Sequence, residues 1–204
     1  MYIPEIYKNN NPEEITAFLE QNSFGILVNQ TDGKLWATHI PLELETKENG
    51  EQILFGHLAK NNPQWKSFIH NNEILAIFSG PQSYISPSWY DHENVPTWNY
   101  IAVHVYGTIK IVEGERLIEI LKKQIDKYEK NSENPVRIEN LSRKTMKEAQ
   151  GIIAFEIEIN DIQAVKKMSQ NRDDKNYENI IVALKNTGKP DENAVAETML
   201  KCPR

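Results

Sequence analysis

The amino-acid sequence predicts a mixed β fold with peripheral helices, an α+β arrangement in which antiparallel strands in series form an open or closed barrel. Three observations point to it. Short segments alternate apolar and polar residues with a period of two, tight-turn signals join neighbouring segments, and only short helical patterns interrupt them. A parallel doubly wound sheet would instead alternate strand and helix throughout.

Along the chain, Asn11-Pro12-Glu13-Glu14 reads as a helix start. Asn11 is the cap, Pro12 sits in the first turn, and Glu14 is placed to complete a capping box ahead of the apolar face Ile15, Phe18 and Leu19. Gly25 to Val28 begins a strand, Thr31-Asp32-Gly33-Lys34 is a turn, and Leu35 to Leu44 is a second extended run, so a hairpin is expected. After Asn49-Gly50 comes a third strand, Gln52 to Leu58. Asn62-Pro63 then caps a short helix carrying Trp65, Phe68 and Ile69, and Ile74 to Phe78 is a fourth strand.

From Gly80 to Tyr100 the chain combines Pro81, Pro87 and Pro96 with tyrosines and tryptophans, the composition of an ordered loop, where function often resides. Tyr100 to Val112 reads as a long strand covered on both faces. A helix is expected from Glu115 to about Lys130, with Leu117, Ile118, Leu121, Ile125 and Tyr128 on one face. Gly151 to Asn160 alternates again. Two helices, Asp173 to Asn186 and Asp191 to Leu200, close the sequence around Gly188 and Pro190.

The 204 residues, 39% hydrophobic and 25% charged, suit one main domain with a small appendage. Residues 1–170 are expected to form the main domain and 171–204 a helical extension packed on it or on a dimer partner. No apolar run approaches the roughly 20 residues that a membrane-spanning helix needs. Met1 to Asn10 lacks the basic start and apolar stretch of a secretory signal, and Cys202 is the only cysteine, so a cytoplasmic protein without a disulfide framework is expected. The net charge of −6 points away from nucleic acid, although a dimer can gather a local basic patch on an acidic body.

Phosphate-binding glycine loops, serine elbows and zinc-protease helices are all missing from the sequence. The five histidines, His39, His57, His70, His92 and His104, lack metal-ligand spacing, and no metal is expected. Two groups remain. His39 in Thr38-His39-Ile40-Pro41-Leu42, and His57 in Gly56-His57-Leu58-Ala59-Lys60-Asn61-Asn62-Pro63-Gln64-Trp65, place polar groups on two strands beside a helix start and a lysine, which suits a phosphate. The alternative reading is that Asn62 merely caps its helix while the histidines satisfy local hydrogen bonds. The aromatic stretches Tyr84 to Tyr90 and Val95 to Tyr100 could surround a planar ring or anchor a core or interface.

These motifs, together with Met1-Tyr2-Ile3-Pro4, Val103-His104-Val105-Tyr106-Gly107 and Met168-Ser169-Gln170-Asn171-Arg172, resemble the PaiB-type family of FMN-binding negative transcriptional regulators. Their joint occurrence in this order is specific. The resemblance implies an antiparallel FMN-binding split β-barrel of the pyridoxamine-phosphate-oxidase-like kind, working as a homodimer. It further implies a cofactor site of Thr38, His39, His57, Lys60, Asn62 and Gln64, with phosphate contacts around Lys60 to Gln64 and the ring near Trp98, Asn99 and Tyr100. Gln170, Asn171 and Arg172 would reach it from the partner subunit. An ion pair of Arg172 with Asp173 or Asp174 is the competing role.

The resemblance implies a regulator whose flavin is structural or sensory, without assigned catalytic residues. A flavin-dependent oxidoreductase acting on a small molecule is the alternative, and a haem-binding barrel with a histidine ligand a third. DNA as a partner gets little help from the residues. Arg172 to Arg204 holds six basic and six acidic residues, and its second helix begins with Asp191 and Glu192, so a structural or dimer-packing role is expected there.

Overall fold

A computed structural model describes residues 1–202. The elements are α1 (Pro12–Gln21), β1 (Phe24–Thr31), β2 (Lys34–Pro41), β3 (Glu43–Thr46), β4 (Gln52–Ala59), β5 (Glu73–Ile85), β6 (Thr97–Val112), α2 (Glu115–Tyr128), α3 (Arg143–Met146), β7 (Ile152–Lys167), α4 (Asp174–Asn186) and α5 (Pro190–Leu200). The strands form one seven-stranded sheet of order β2-β1-β5-β6-β7-β4-β3, and the expected antiparallel α+β fold is present.

Two compact units divide the chain. One comprises Leu19–Ile77 and Val105–Ile162; the other comprises Met1–Phe18, Phe78–His104 and the segment from Gln163 onward.

In the first unit, Asp32 and Gly33 both take positive φ, so the β1–β2 hairpin closes with Thr31 paired to Lys34. The second extended run is not one strand. It breaks at Leu42, whose N–H donates to Ser23 O at 2.8 Å, and resumes as β3 on β4. Leu27, Leu54, Leu58 and Phe155 are buried, and Phe68 meets Phe155 edge-on at 5.9 Å. Gly107 is required by close packing, since a Cβ there would lie 2.3 Å from Glu158 O.

Helix α2 covers Phe55 and Ala154 with Ile120, assisted by Leu117. The expected face is thus partly rotated: Ile118 and Tyr128 are exposed, while Ile120 and Gln124 are buried. Polar anchoring explains Tyr128. Its hydroxyl donates to the buried Glu43 at 2.7 Å, and Lys127 pairs with the same carboxylate.

In the second unit, Asn11 caps α1 by accepting from Glu13 N and Glu14 N, but the capping box is only half formed. Glu14 turns instead to Asn9 and Lys166. The loop expected from Gly80 to Tyr100 is shorter at both ends, because β5 runs through Gly80-Pro81 to Ile85 and β6 begins at Thr97. A Cβ on Gly80 would lie 2.7 Å from the Phe18 ring, so glycine serves close approach here. Strand β7 likewise continues to Lys167, held near its end by Lys8 opposite Val165 and by Asn9 N donating to Ala164 O. Helices α4 and α5 bury Tyr177, Ile180, Leu184, Val195 and Met199 with Ile85 and Met168.

Candidate functional site

The polar group around Asn62 lies in the first unit. Asn62 caps the 3-10 turn Pro63–Ile69 as expected, accepting from Gln64 N at 3.0 Å, with Pro63 at the first position. Its side-chain amide donates to Thr38 Oγ1 at 2.9 Å, and Thr38 in turn donates to Gln64 Oε1. Gln64 is completely buried and donates to Leu27 O and to Asn29 Oδ1, both at 3.0 Å.

The donor count is decisive. Both Gln64 Nε2 hydrogens are used, and so is the single Thr38 hydroxyl hydrogen. One Asn62 N–H remains, together with the side chains of His39 and Lys60, both exposed. Asn29 and Thr31 continue the frame to Ser67, so the strand β1, the strand β2 and the 3-10 turn are locked to one another.

His57 stands apart from this group. Its Nδ1 lies 2.8 Å from Gln124 Oε1 of α2, and burial pushes its pKa below the usual histidine range. The neutral ring therefore donates to Gln124, whose Nε2 is buried without a partner among the described residues. Lys60 lies at the rim of a separate groove of 550 Å³ lined mainly by Ile111, Val112, Leu117, Met146 and Ile152.

The remaining expected site residues lie in the second unit. Trp98 is 54% exposed and meets Tyr84, 44% exposed, edge-on at 6.1 Å, so this aromatic pair is open to a planar ligand. Asn99 is buried between Ser169, which donates to its Oδ1 at 3.0 Å, and the sulfur of Met199. Tyr100 is half-buried. Gln170 is engaged by the backbone, accepting from Met168 N and donating to Lys166 O, both at 2.7 Å. Asn171 is exposed.

Arg172 pairs with neither Asp173 nor Asp174. Its guanidinium lies over the Tyr90 ring, 5.0 Å from the centroid. Asp173 instead caps α4 through Asn176 N. Sequence reasoning missed Asn29 and Ser67, whose place in the frame is set by contacts between elements far apart in sequence. No His, Cys, Asp or Glu cluster suited to a metal occurs among the described residues.

Each unit by itself offers one element of flavin chemistry: the open Tyr84–Trp98 pair suits a planar ring, and Lys60 with the free Asn62 N–H suits an anion.

Comparison with known proteins defines the class first. The Mycobacterium smegmatis FAD and haem binding protein has the same fold at TM-score 0.63 and 15% identity, covering 86% of this chain and 80% of that one. The flavocytochrome Anf3 of Azotobacter vinelandii matches at TM-score 0.62 and 16% identity over 87% and 78%. The fold is thus the split barrel. Residues 1–161 match the family described as "Putative FMN-binding domain", and the chain belongs to it. It is also 46% identical over 200 residues to the Bacillus subtilis protease synthase and sporulation protein PAI 2, covering 98% of this chain and 96% of that protein. The PaiB-type resemblance therefore holds, and flavin is the cofactor that the family carries.

Proposed function

We propose that this chain is a cytoplasmic, homodimeric FMN-binding protein of the PaiB type, with a structural or sensory flavin and a role in regulating transcription. The observation that carries the reading is the family match over residues 1–161, joined to a prearranged polar frame with unspent donors beside it. On this reading residues 1–170 form the flavin domain and 171–204 its helical extension. His39, Lys60 and Asn62 face the phosphate. Thr38 and Gln64 hold them, and Trp98 with Tyr100 lines the ring. Asn99 fixes that strand from the core, and His57 acts from beneath α2. Gln170, Asn171 and Arg172 come from the partner subunit, where Gln170 shapes the turn that presents Arg172. Bound FMN would supply one- or two-electron redox chemistry.

The edge strand β2 supports a second copy as partner. Leu35 is 82% exposed and the adjacent Trp36 39%, large apolar side chains left uncovered on an edge strand. Direct DNA binding has weaker support, because the C-terminal hairpin is committed to a buried core. A promoter-fragment mobility shift tests it: a salt-dependent, sequence-specific shift is expected. No shift, combined with NAD(P)H-driven flavin turnover, would replace this reading with the flavin-dependent oxidoreductase.

A further inference from the structure

We propose that the cavity between the β1–β2 turn and the 3-10 turn Pro63–Ile69 binds a free α-amino acid. Its volume is 530 Å³, in the range of small-molecule sites, and it lies wholly inside the first unit. One wall is the hairpin turn at Asp32 and Gly33. The other is Lys66 and Ser67 of the 3-10 turn, with His70 and Asn71 beyond them. No residue assigned to flavin above lines it.

The lining is held by buried polar contacts. Thr31 is only 7% exposed, and its hydroxyl lies 3.2 Å from Ser67 Oγ. Ser67 donates to Gln64 O at 2.7 Å and accepts from Asn29 Nδ2 at 2.6 Å, so both walls belong to the frame that fixes Gln64. Groups of both signs line the cavity without meeting. The side chains of Asp32, Lys66 and His70 form no hydrogen bond or ion pair among the described residues. Exposed charges elsewhere in the unit do pair, Lys47 with Glu51 at 3.3 Å and Lys122 with Asp126 at 3.1 Å. Nor does the backbone need the Asp32 charge: its φ of 51 belongs to the turn, which asparagine fits as well.

A ligand that answers a carboxylate on one wall and an ammonium on the other carries both charges itself. Asp32 opposes a phosphate or a dicarboxylate, and Lys66 opposes a diamine. An α-amino acid meets both walls: its ammonium has three donors, for Asp32 and for Gln30 Oε1, and its carboxylate accepts from Lys66 and the Asn71 amide. Gln30 is held in place, its Nε2 donating to Gly33 O at 3.4 Å. Among the described residues Pro63 is the one apolar side chain on the lining, which favours a polar amino acid over an aliphatic or aromatic one.

Titration calorimetry of the full-length protein tests this with each proteinogenic L-amino acid in turn. The tightest binder is then compared with its N-acetyl and carboxamide forms on wild type, Asp32→Asn and Lys66→Met. Saturable binding of at least one amino acid is expected, weakened about 10- to 100-fold by either substitution. The N-acetyl form, which lacks the ammonium, should bind wild type that much more weakly and no longer respond to Asp32→Asn. The carboxamide should no longer respond to Lys66→Met, which ties each charge to its partner as a folding defect could not. Both side chains are exposed, so melting temperatures should not change. Should a variant fail to fold, the two modified ligands on wild type decide alone. The proposal is overturned if no amino acid binds wild type at millimolar concentration, or if the tightest binder ignores both substitutions. Equally tight binding of the N-acetyl form or of inorganic phosphate overturns it too. No flavin enters the measurement, so failure of the cofactor reading leaves this result untouched.

Discussion

Gln64 shows how a residue can be central to a site without touching a ligand. Its amide satisfies Leu27 O, Asn29 and Thr38 from a fully buried position, so removal leaves several polar groups unpaired. Gln64→Leu should lower the unfolding free energy by about 2–4 kcal/mol in urea titrations. Exposed His39 stacks on Phe24 at 6.4 Å, and its side chain forms no hydrogen bond or ion pair among the described residues. His39→Ala should therefore leave stability within about 0.5 kcal/mol while weakening FMN by about tenfold. Equal stability losses in the two variants would contradict this division between frame and contact. The sequence made the Asn62 cap legible, because cap chemistry is local, and joined Thr38 and Gln64 to it only through the family resemblance. It could not separate spent donors from free ones, since the acceptors Leu27 and Asn29 lie on another strand.

At the scale of elements, the hairpin turn and the Asn11 and Asn62 caps were readable because each is fixed within a few residues. Boundaries set by distant packing were not. Gly80-Pro81 carries loop chemistry, yet the strand continues through it with the Phe18 ring of α1 packed against Gly80, and the extended end of β7 is paired by Lys8 and Asn9. Gly107→Ala should cost at least about 2 kcal/mol, read as a lower melting temperature, because the added methyl meets Glu158 backbone and Ile157. The contact of α2 with β4 makes a different prediction. Burial holds the His57 pKa below its unfolded value, so the unfolded chain gains a proton first as pH falls below about 7. Stability contributed by neutral His57 is complete above its unfolded pKa and is lost between that value and the lower folded one. Unfolding free energies between pH 7.5 and 5.5 should therefore fall more steeply for wild type than for His57→Gln; parallel curves would refute the assignment.

For the whole molecule, strand alternation was enough to give the antiparallel class and the family resemblance implied a dimer, but a candidate face for it needed exposure values. Leu35 and Trp36 look like ordinary strand residues in sequence and prove to lie uncovered on β2. Leu35→Asp with Trp36→Glu should convert the proposed dimer to a monomer in light scattering coupled to size exclusion, whereas an unchanged dimer mass would move the interface elsewhere and a monomeric wild type would remove it. The central claim is that this chain holds flavin. Its most direct test is the visible spectrum of the full-length protein, as purified and after incubation with FMN and gel filtration. Co-eluting bands near about 370 and 450 nm, the signature of the cofactor's own chemistry, are predicted. A protein that stays colourless after FMN treatment, or shows only a haem band near about 410 nm, would contradict the account.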